Sequence, residues 1–224
     1  MRGAGWLLVA LSLAFGLSYP LLWDHLPPAM DMAWKGAGVG LLAAAAALSR
    51  GSSDGRLLAL VLGLGAAGDV LLEISLAAGA AAFAAGHAVA ICLYRRNRRE
   101  ETDQKDMAIA VSILLAAAAV PAFLLHGREE ALPFTAYALL LGAMAASAGL
   151  SRFPRWLVAA GALLFLASDM LIALRMASDV ANLAPPIWLL YYVGQLMIFL
   201  GVISSLPPRE RSSGGGGPAK LVEG

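Results

Sequence analysis

The sequence consists mainly of long apolar stretches, separated by short clusters of charged residues, prolines and glycines. Eight of these stretches have about the length of a helix that crosses a bilayer, which needs roughly 20 predominantly apolar residues. They cover approximately residues 6–22, 32–48, 57–75, 77–94, 107–125, 133–150, 154–176 and 185–206. The pattern therefore predicts an all-α, polytopic membrane bundle of eight transmembrane helices.

The same pattern predicts one membrane domain over residues 1–206 and a disordered Gly/Ser-rich tail over residues 207–224. The first stretch follows a single basic residue, Arg2, and no small-residue cleavage motif precedes Asp24. We therefore expect this stretch to be a span and not a signal peptide.

Composition agrees with a membrane protein and excludes other classes. Hydrophobic residues make up 60% of the 224 residues, charged residues make up 14%, and the mean hydropathy is +0.75. A soluble domain carries about 25% charged residues. The net charge of +1 gives no indication of a nucleic-acid partner. The single cysteine, Cys92, excludes a disulfide framework and a metal site built on thiolates.

The basic residues predict the orientation of the bundle. With the N-terminus inside, every Lys and Arg except Lys35, Arg128 and Arg175 falls on the inner side of the membrane. This asymmetry follows the positive-inside rule with an even number of spans, so both termini are expected to be cytoplasmic. The Ala-, Gly- and Arg-rich composition favours a multi-pass protein of the bacterial cytoplasmic (inner) membrane. The oligomeric state is left open.

A small set of polar side chains lies inside the predicted spans, where an Asp at the bilayer centre costs about 2.5–3.5 kcal/mol. A rise of about 1.5 Å per residue places them between the midplane and the outer half of the membrane. They are Lys35, Asp69, His87, Tyr137, Asp169, Tyr191 and Gln195. Six helices that contribute polar groups at one depth predict a polar intramembrane cavity. Glu73 and Arg175 lie near span ends, where we expect water to solvate them.

Two of these residues, Asp69 and Asp169, have similar neighbours. The segment AAGDVLLEI around Asp69 resembles LASDMLIAL around Asp169, 100 residues later. Both predicted helices run from the inner to the outer side. An ancient four-plus-four duplication and a chance match both account for this similarity.

The motifs around these residues resemble the YhhN-like lysoplasmalogenase family, whose members have eight membrane helices. The resemblance extends from Lys35 to about Ser204 and depends on the order and spacing of several short motifs. They are GDVLL at 68–72, Phe83, Gly86, His87, Tyr94, Tyr137, Ser168, Asp169, Leu171 and YYVGQ at 191–195.

This resemblance implies hydrolysis of the vinyl-ether bond of lysoplasmalogens to a fatty aldehyde and a glycerophospho-headgroup. It implies that Asp69 and Asp169 are the catalytic pair and that the partner is a lysophospholipid surrounded by membrane lipids. It also implies a site lined by Lys35, His87, Tyr94, Tyr137, Ser168, Tyr191, Tyr192 and Gln195. We expect no cofactor, and no metal ion because no HxxxH pair accompanies His87.

The chemistry of a vinyl ether suits two carboxyl groups. Protonation of its β-carbon gives an oxocarbenium ion, to which water adds, and the hemiacetal then collapses to aldehyde and alcohol. A low-dielectric cavity and mutual repulsion favour one protonated and one ionised carboxyl group. The protonated group is then the acid, and the other stabilises the cation and activates water, as in glycoside hydrolysis.

A second class of function uses the same residues. Intramembrane Asp residues also serve as proton relays in transporters, so a proton-coupled carrier or a lipid-binding protein is the alternative. Carriers often contain helices that are broken at the midplane. Neither the Asp69 nor the Asp169 span has a proline at its middle, which favours the enzyme.

Overall fold

The computed structural model describes residues 3–48, 52–178 and 180–207. Within these ranges the chain forms helices and no β-strand. The helices are α1 (Gly3–Leu22), α2 (Pro28–Ala47), α3 (Ser53–Leu72), α4 (Leu76–Arg96), α5 (Gln104–Leu124), α6 (Ala131–Gly149), α7 (Val158–Ala177) and α8 (Ala184–Ser204). The eight predicted helical segments are confirmed, with ends that differ by a few residues. The predicted tail beyond residue 207 lies outside the described residues.

Two of the ends that differ from the prediction, at α3 and α7, have a clear local cause. α3 ends at Leu72 and not at residue 75, because Ser75 caps the next helix and its side chain accepts a hydrogen bond from the Ala78 N–H. α7 begins at Val158 and not at residue 154, because Pro154 starts a turn whose carbonyl accepts the Leu157 N–H.

Seven of the described helices are long and apolar enough to cross a membrane. The exception is α2, in which Asp31 and Lys35 lower the hydropathy. α2 is nevertheless a helix of 20 residues, packed between α1 and α3.

The helices enclose a common centre. α1 to α4 pack one against the next in chain order, and α8 closes the bundle against α1, α2, α3 and α7. α6 contacts α4 and α7, and α5 lies outside against α6 and α7. The side chains of α3, α4, α6, α7 and α8 therefore surround the interior in which the polar residues lie.

Two glycines permit the closest contact between helices in this interior. A Cβ added at Gly161 on α7 would lie 2.6 Å from the carbonyl oxygen of Gly194 on α8, and the reverse substitution gives the same distance. The two backbones therefore touch here, which fixes the position of Asp169 relative to Tyr191.

Ion pairs gather at the end of the bundle where α3, α5 and α7 begin, which we call the basic end. Asp54 lies 3.8 Å from Arg96 and Arg152, and Asp106 lies 3.0 Å from Arg99 and 2.5 Å from Arg155. These pairs link the connections between helices at this end. The end where α3 and α7 finish is called the opposite end below.

Candidate active site

The first part of the site is the Asp69 arm, which consists of Asp69 and Tyr191. Asp69 lies in the last turn of α3 and is 2% exposed. The hydroxyl group of Tyr191 on α8 donates a hydrogen bond to its Oδ2 over 2.8 Å. A Cβ at the preceding residue, Gly68, would come within 2.7 Å of the Phe83 ring. The glycine therefore admits the ring that helps to cover the carboxyl group.

The second part is the Asp169 arm, which consists of Asp169, Tyr137 and His87. Asp169 on α7 is 6% exposed, and its Oδ2 accepts a hydrogen bond from the Tyr137 hydroxyl over 2.9 Å. The same hydroxyl lies 3.1 Å from Nε2 of His87 on α4. With the Tyr137 proton directed toward Asp169, the contact with His87 corresponds to donation from an Nε2–H tautomer. Residues from α4, α6 and α7 thus form one hydrogen-bonded chain.

Aromatic rings join the two arms. The ring of Phe165, one turn before Asp169 on α7, lies 4.9 Å from the Tyr191 ring and 5.0 Å from the His87 ring. Phe83 lies 5.7 Å from Tyr191 and 6.0 Å from Phe165. We call Phe83 and Phe165 the aromatic bridge. Phe165 has no polar group that would mark it in the sequence, although its i,i+4 spacing from Asp169 indicates a shared helix face.

Gln195 and Tyr94 lie toward the basic end from Asp69. A Cβ at Gly65 would lie 3.0 Å from Gln195 Nε2 and 3.4 Å from the Tyr191 hydroxyl, so both groups lie beside this glycine. Gln195 is 1% exposed, as is Tyr94, whose ring packs against Phe153. Both side chains are therefore buried inside the bundle.

Lys35 is part of an ion pair at the opposite end. Its Nζ lies 2.5 Å from Oε1 of Glu73, the residue that caps the C-terminus of α3. The expectation that water alone solvates Glu73 was therefore wrong, because α2 places an ammonium group against it. Lys35 is also close enough to Asp69 for an electrostatic interaction.

Two other expected site residues form links between helices. The hydroxyl group of Tyr192 lies 3.0 Å from that of Ser12 on α1, and its ring stacks on Trp188. The hydroxyl group of Ser168 donates to the carbonyl of Ile187 on α8 over 2.9 Å. The structure does not bring either hydroxyl group into hydrogen-bond contact with Asp69 or Asp169 among the described residues.

The resulting site has the components of acid–base chemistry. Two buried carboxyl groups are each bonded to a tyrosine hydroxyl, and Phe165 contacts one residue of each arm, Tyr191 and His87. Groups of this kind can transfer protons to and from a bound molecule. In the described part of the chain, no cluster of three or more His, Cys, Asp or Glu side chains could hold a metal ion.

Comparison with known proteins identifies the family. The sequence model of the YhhN family matches residues 30–202. Two proteins named lysoplasmalogenase, from Mycobacterium bovis and Mycobacterium tuberculosis, are each 31% identical to the chain over 220 residues. The alignment covers 90% of this chain and 84% of each relative. No solved structure gives a significant match.

The family match covers the helices that carry both arms, from α3 to α8, together with most of α2. The apolar helices agree with a multi-pass membrane protein. The chain belongs to the YhhN family.

Proposed function

We propose that this protein is a lysoplasmalogenase that hydrolyses the vinyl-ether bond of a lysophospholipid. Two relatives that bear this name support the substrate class. The observation that carries the proposal is the placement of Asp69 and Asp169, each buried and each bonded to a tyrosine, across one aromatic bridge. The products are a fatty aldehyde and a glycerophospho-headgroup.

Asp169 is the acid in this proposal. Its protonated carboxyl group gives a proton to the β-carbon of the vinyl ether, and the oxocarbenium ion forms. Tyr137 orients the carboxyl group through its hydrogen bond to Oδ2, and His87 holds the Tyr137 hydroxyl in place. Asp169 leaves this step as a carboxylate.

Asp69 is the base. Its carboxylate stabilises the cation and takes a proton from the water that adds to it, which gives a neutral hemiacetal. When the hemiacetal collapses, protonated Asp69 donates to the departing glycerol oxygen and the hemiacetal hydroxyl proton returns to Asp169. Both groups regain their starting states, so the cycle needs no external acid.

The aromatic bridge suits the charge that develops between the two carboxyl groups. A cation over the face of an aromatic ring is stabilised by about 0.5–2 kcal/mol, more when water is excluded. Phe165 and Phe83 have no polar atoms that compete for the proton. They also offer an apolar wall for the carbon atoms beside the reacting bond.

In this proposal the headgroup of the substrate lies at the opposite end of the bundle. Glu73 is four residues beyond Asp69, which corresponds to about 6 Å along the helix axis. Lys35, held there by Glu73, is the group that meets the phosphate. His87, Tyr94, Tyr137, Ser168, Tyr191, Tyr192 and Gln195 are the other residues proposed to shape the substrate site.

We further propose that all eight helices span the membrane with both termini cytoplasmic. The basic end then faces the cytoplasm, as the positive-inside rule requires, and the Lys35–Glu73 pair faces the outer leaflet. The single-chain substrate enters sideways from that leaflet. The bacterial cytoplasmic membrane is the proposed location.

A matched pair of lipids tests this function. The protein, purified in detergent, should release fatty aldehyde from a 1-alkenyl lysophospholipid and none from its 1-alkyl counterpart. The two lipids differ only in the double bond that accepts the proton. Absence of aldehyde from a folded, monodisperse sample would contradict the proposed reaction and favour a carrier or lipid-binding protein.

A further inference from the structure

Two buried polar atoms near the Asp69 arm have no hydrogen-bond partner among the residues that the structure describes. They are the hydroxyl oxygen of Tyr94 on α4 and Oε1 of Gln195 on α8. Both side chains are 1% exposed. Buried polar groups are nearly always satisfied by protein or by ordered water, so these two atoms indicate a missing partner.

Both side chains line one small cavity, which is also bounded by Gly65, His87 and Phe165. Its volume of about 10 Å³ is at the lower limit for one water molecule. Water also matches the chemistry of the two atoms. It accepts the Tyr94 O–H and donates to Gln195 Oε1.

The cavity adjoins both arms of the site. Gly65 lies one turn from Asp69 on α3, about 6 Å closer to the basic end. Gln195 Nε2 and the Tyr191 hydroxyl both lie beside Gly65, and His87 belongs to the Asp169 arm. A water molecule held here is therefore one helical turn from the carboxylate that is to activate it.

We propose that this cavity is the site of the water molecule that hydrolysis consumes, held by Tyr94 and Gln195. The inference rests on the proposed function and adds the position of the second reactant. The water moves toward Asp69, its oxygen bonds to the cationic carbon, and its proton passes to the carboxylate. Its oxygen becomes the carbonyl oxygen of the aldehyde. Tyr94 and Gln195 act as positioning residues.

If the cavity holds the reacting water, loss of that water should cause hydrogen isotope exchange in the substrate. A purely structural role of Tyr94 would not produce this exchange. If no water is ready, the oxocarbenium ion loses a proton from the β-carbon and reverts to the vinyl ether. In D2O the acid delivers a deuteron, and once the new CHD group has rotated, loss of the original β-hydrogen leaves deuterium on the β-carbon of the recovered vinyl ether. Slow water addition therefore appears as exchange without hydrolysis.

The test is Tyr94→Phe in D2O, with aldehyde release and the deuterium content of recovered substrate measured together. The substitution removes one hydroxyl group and keeps the ring against Phe153. We expect aldehyde release to fall about tenfold, the effect of losing one well-placed hydrogen bond. We also expect deuterium in recovered substrate, with none in the wild type.

The matched control is Tyr19→Phe, which removes a hydroxyl group bonded to Asp31 between α1 and α2. It should show wild-type aldehyde release and no exchange. Wild-type behaviour of Tyr94→Phe would overturn the water site while the proposed function stands. Lower aldehyde release without exchange would also overturn it, because Tyr94 would then act before protonation is complete.

A second variant covers the case in which Tyr94→Phe does not fold. Ala90 on α4 is 1% exposed and lines the cavity, so Ala90→Val narrows the space for water without removing a polar group. It should give the same exchange with the same loss of aldehyde. A folded Ala90→Val protein with wild-type kinetics would contradict the proposal. Lack of aldehyde from the wild type would contradict the proposed function itself.

Discussion

The two arms of the site share an Asp–Tyr hydrogen bond but differ in the groups that surround it. Each places an Asp against a tyrosine from another helix, at 2.8 Å for Asp69 and 2.9 Å for Asp169. The Asp169 arm continues into a neutral chain through Tyr137 to His87. The Asp69 arm instead lies near the Lys35–Glu73 ion pair at the opposite end.

The arms also differ in where each Asp lies along its own helix. Asp69 lies in the last turn of α3, about 10 Å beyond the helix midpoint, whereas Asp169 lies about 2 Å beyond the midpoint of α7. Asp69 is thus near the Lys35–Glu73 ion pair, whereas Asp169 is bonded to Tyr137, which contacts His87. This difference is the basis on which we propose opposite roles for two identical side chains, Asp69 as the base and Asp169 as the acid.

The helices that supply the arms correspond in a four-plus-four scheme. Lys35 on α2 and Tyr137 on α6 occupy matching helices, as do His87 on α4 and Tyr191 on α8. The arrangement is compatible with the duplication suggested by the sequence, but the side chains differ at each pair. The corresponding helices therefore carry different functional groups.

The largest effect is expected when each of the two carboxyl groups is substituted in turn, and the two variants should distinguish the base from the acid. Asp69→Asn and Asp169→Asn should each lower aldehyde release by about 10²–10⁴-fold, the usual contribution of acid–base catalysis. In D2O, Asp69→Asn should still exchange deuterium into the substrate, because its acid remains. Asp169→Asn should not exchange. The reverse pattern would show that the assigned roles are interchanged.

A smaller effect is expected at the two tyrosines. Tyr137→Phe and Tyr191→Phe each remove one hydrogen bond to a carboxyl group and keep the ring, so activity should fall about tenfold to a hundredfold. The loss should appear in kcat more than in KM. Tyr19→Phe, which removes a hydroxyl that bonds to Asp31, provides a comparison for a link between helices. Equal kinetic losses in all three variants would count against a special role for the two tyrosines.

The contact between α7 and α8 should respond mainly in stability. Gly194→Ala places a methyl group 2.6 Å from the Gly161 carbonyl, and overpacking of this kind costs about 1–3 kcal/mol. Gly63→Ala is the control, since a Cβ there has no neighbour within 4 Å. Thermal unfolding in detergent should show a lower midpoint for Gly194→Ala alone. Equal unfolding midpoints would mean that α7 and α8 accommodate the added methyl group with no loss of stability, which would contradict a tight contact.

The smallest effect is expected at Lys35. Lys35→Gln should raise KM severalfold for a phosphate-bearing substrate and leave kcat nearly unchanged, because a partly exposed charge contributes about 0.2–1 kcal/mol. The same variant should not affect the KM of a 1-alkenylglycerol, which has no phosphate. A similar change for both lipids would place Lys35 outside the headgroup site.

The fold could be predicted well because its signal is local. Each helix is a long apolar stretch with a break that the sequence shows directly, and local features such as the Ser75 cap and the Pro154 turn shift individual ends. Asp69, Asp169 and His87 could be identified because ionisable side chains are unusual in membrane helices. These inferences need no knowledge of which helices are neighbours.

The rest of the site depends on contacts between distant segments. The bonds from Tyr137 to Asp169 and from Tyr191 to Asp69 join residues 32 and 122 positions apart. Phe165 gives no polar signal, although it lies between the arms. Glu73 appeared to be at a solvated helix end because its partner Lys35 is on another helix. Pairing of this kind follows from tertiary packing and not from periodicity.

The central claim is that the buried Asp pair carries out vinyl-ether hydrolysis. Its most direct test compares the purified wild type with the Asp69→Asn/Asp169→Asn double variant on a lysoplasmalogen, with matched folding checked by chromatography and thermal unfolding. The account predicts fatty aldehyde from the wild type and none above background from the double variant. Aldehyde at similar rates from both proteins would contradict it.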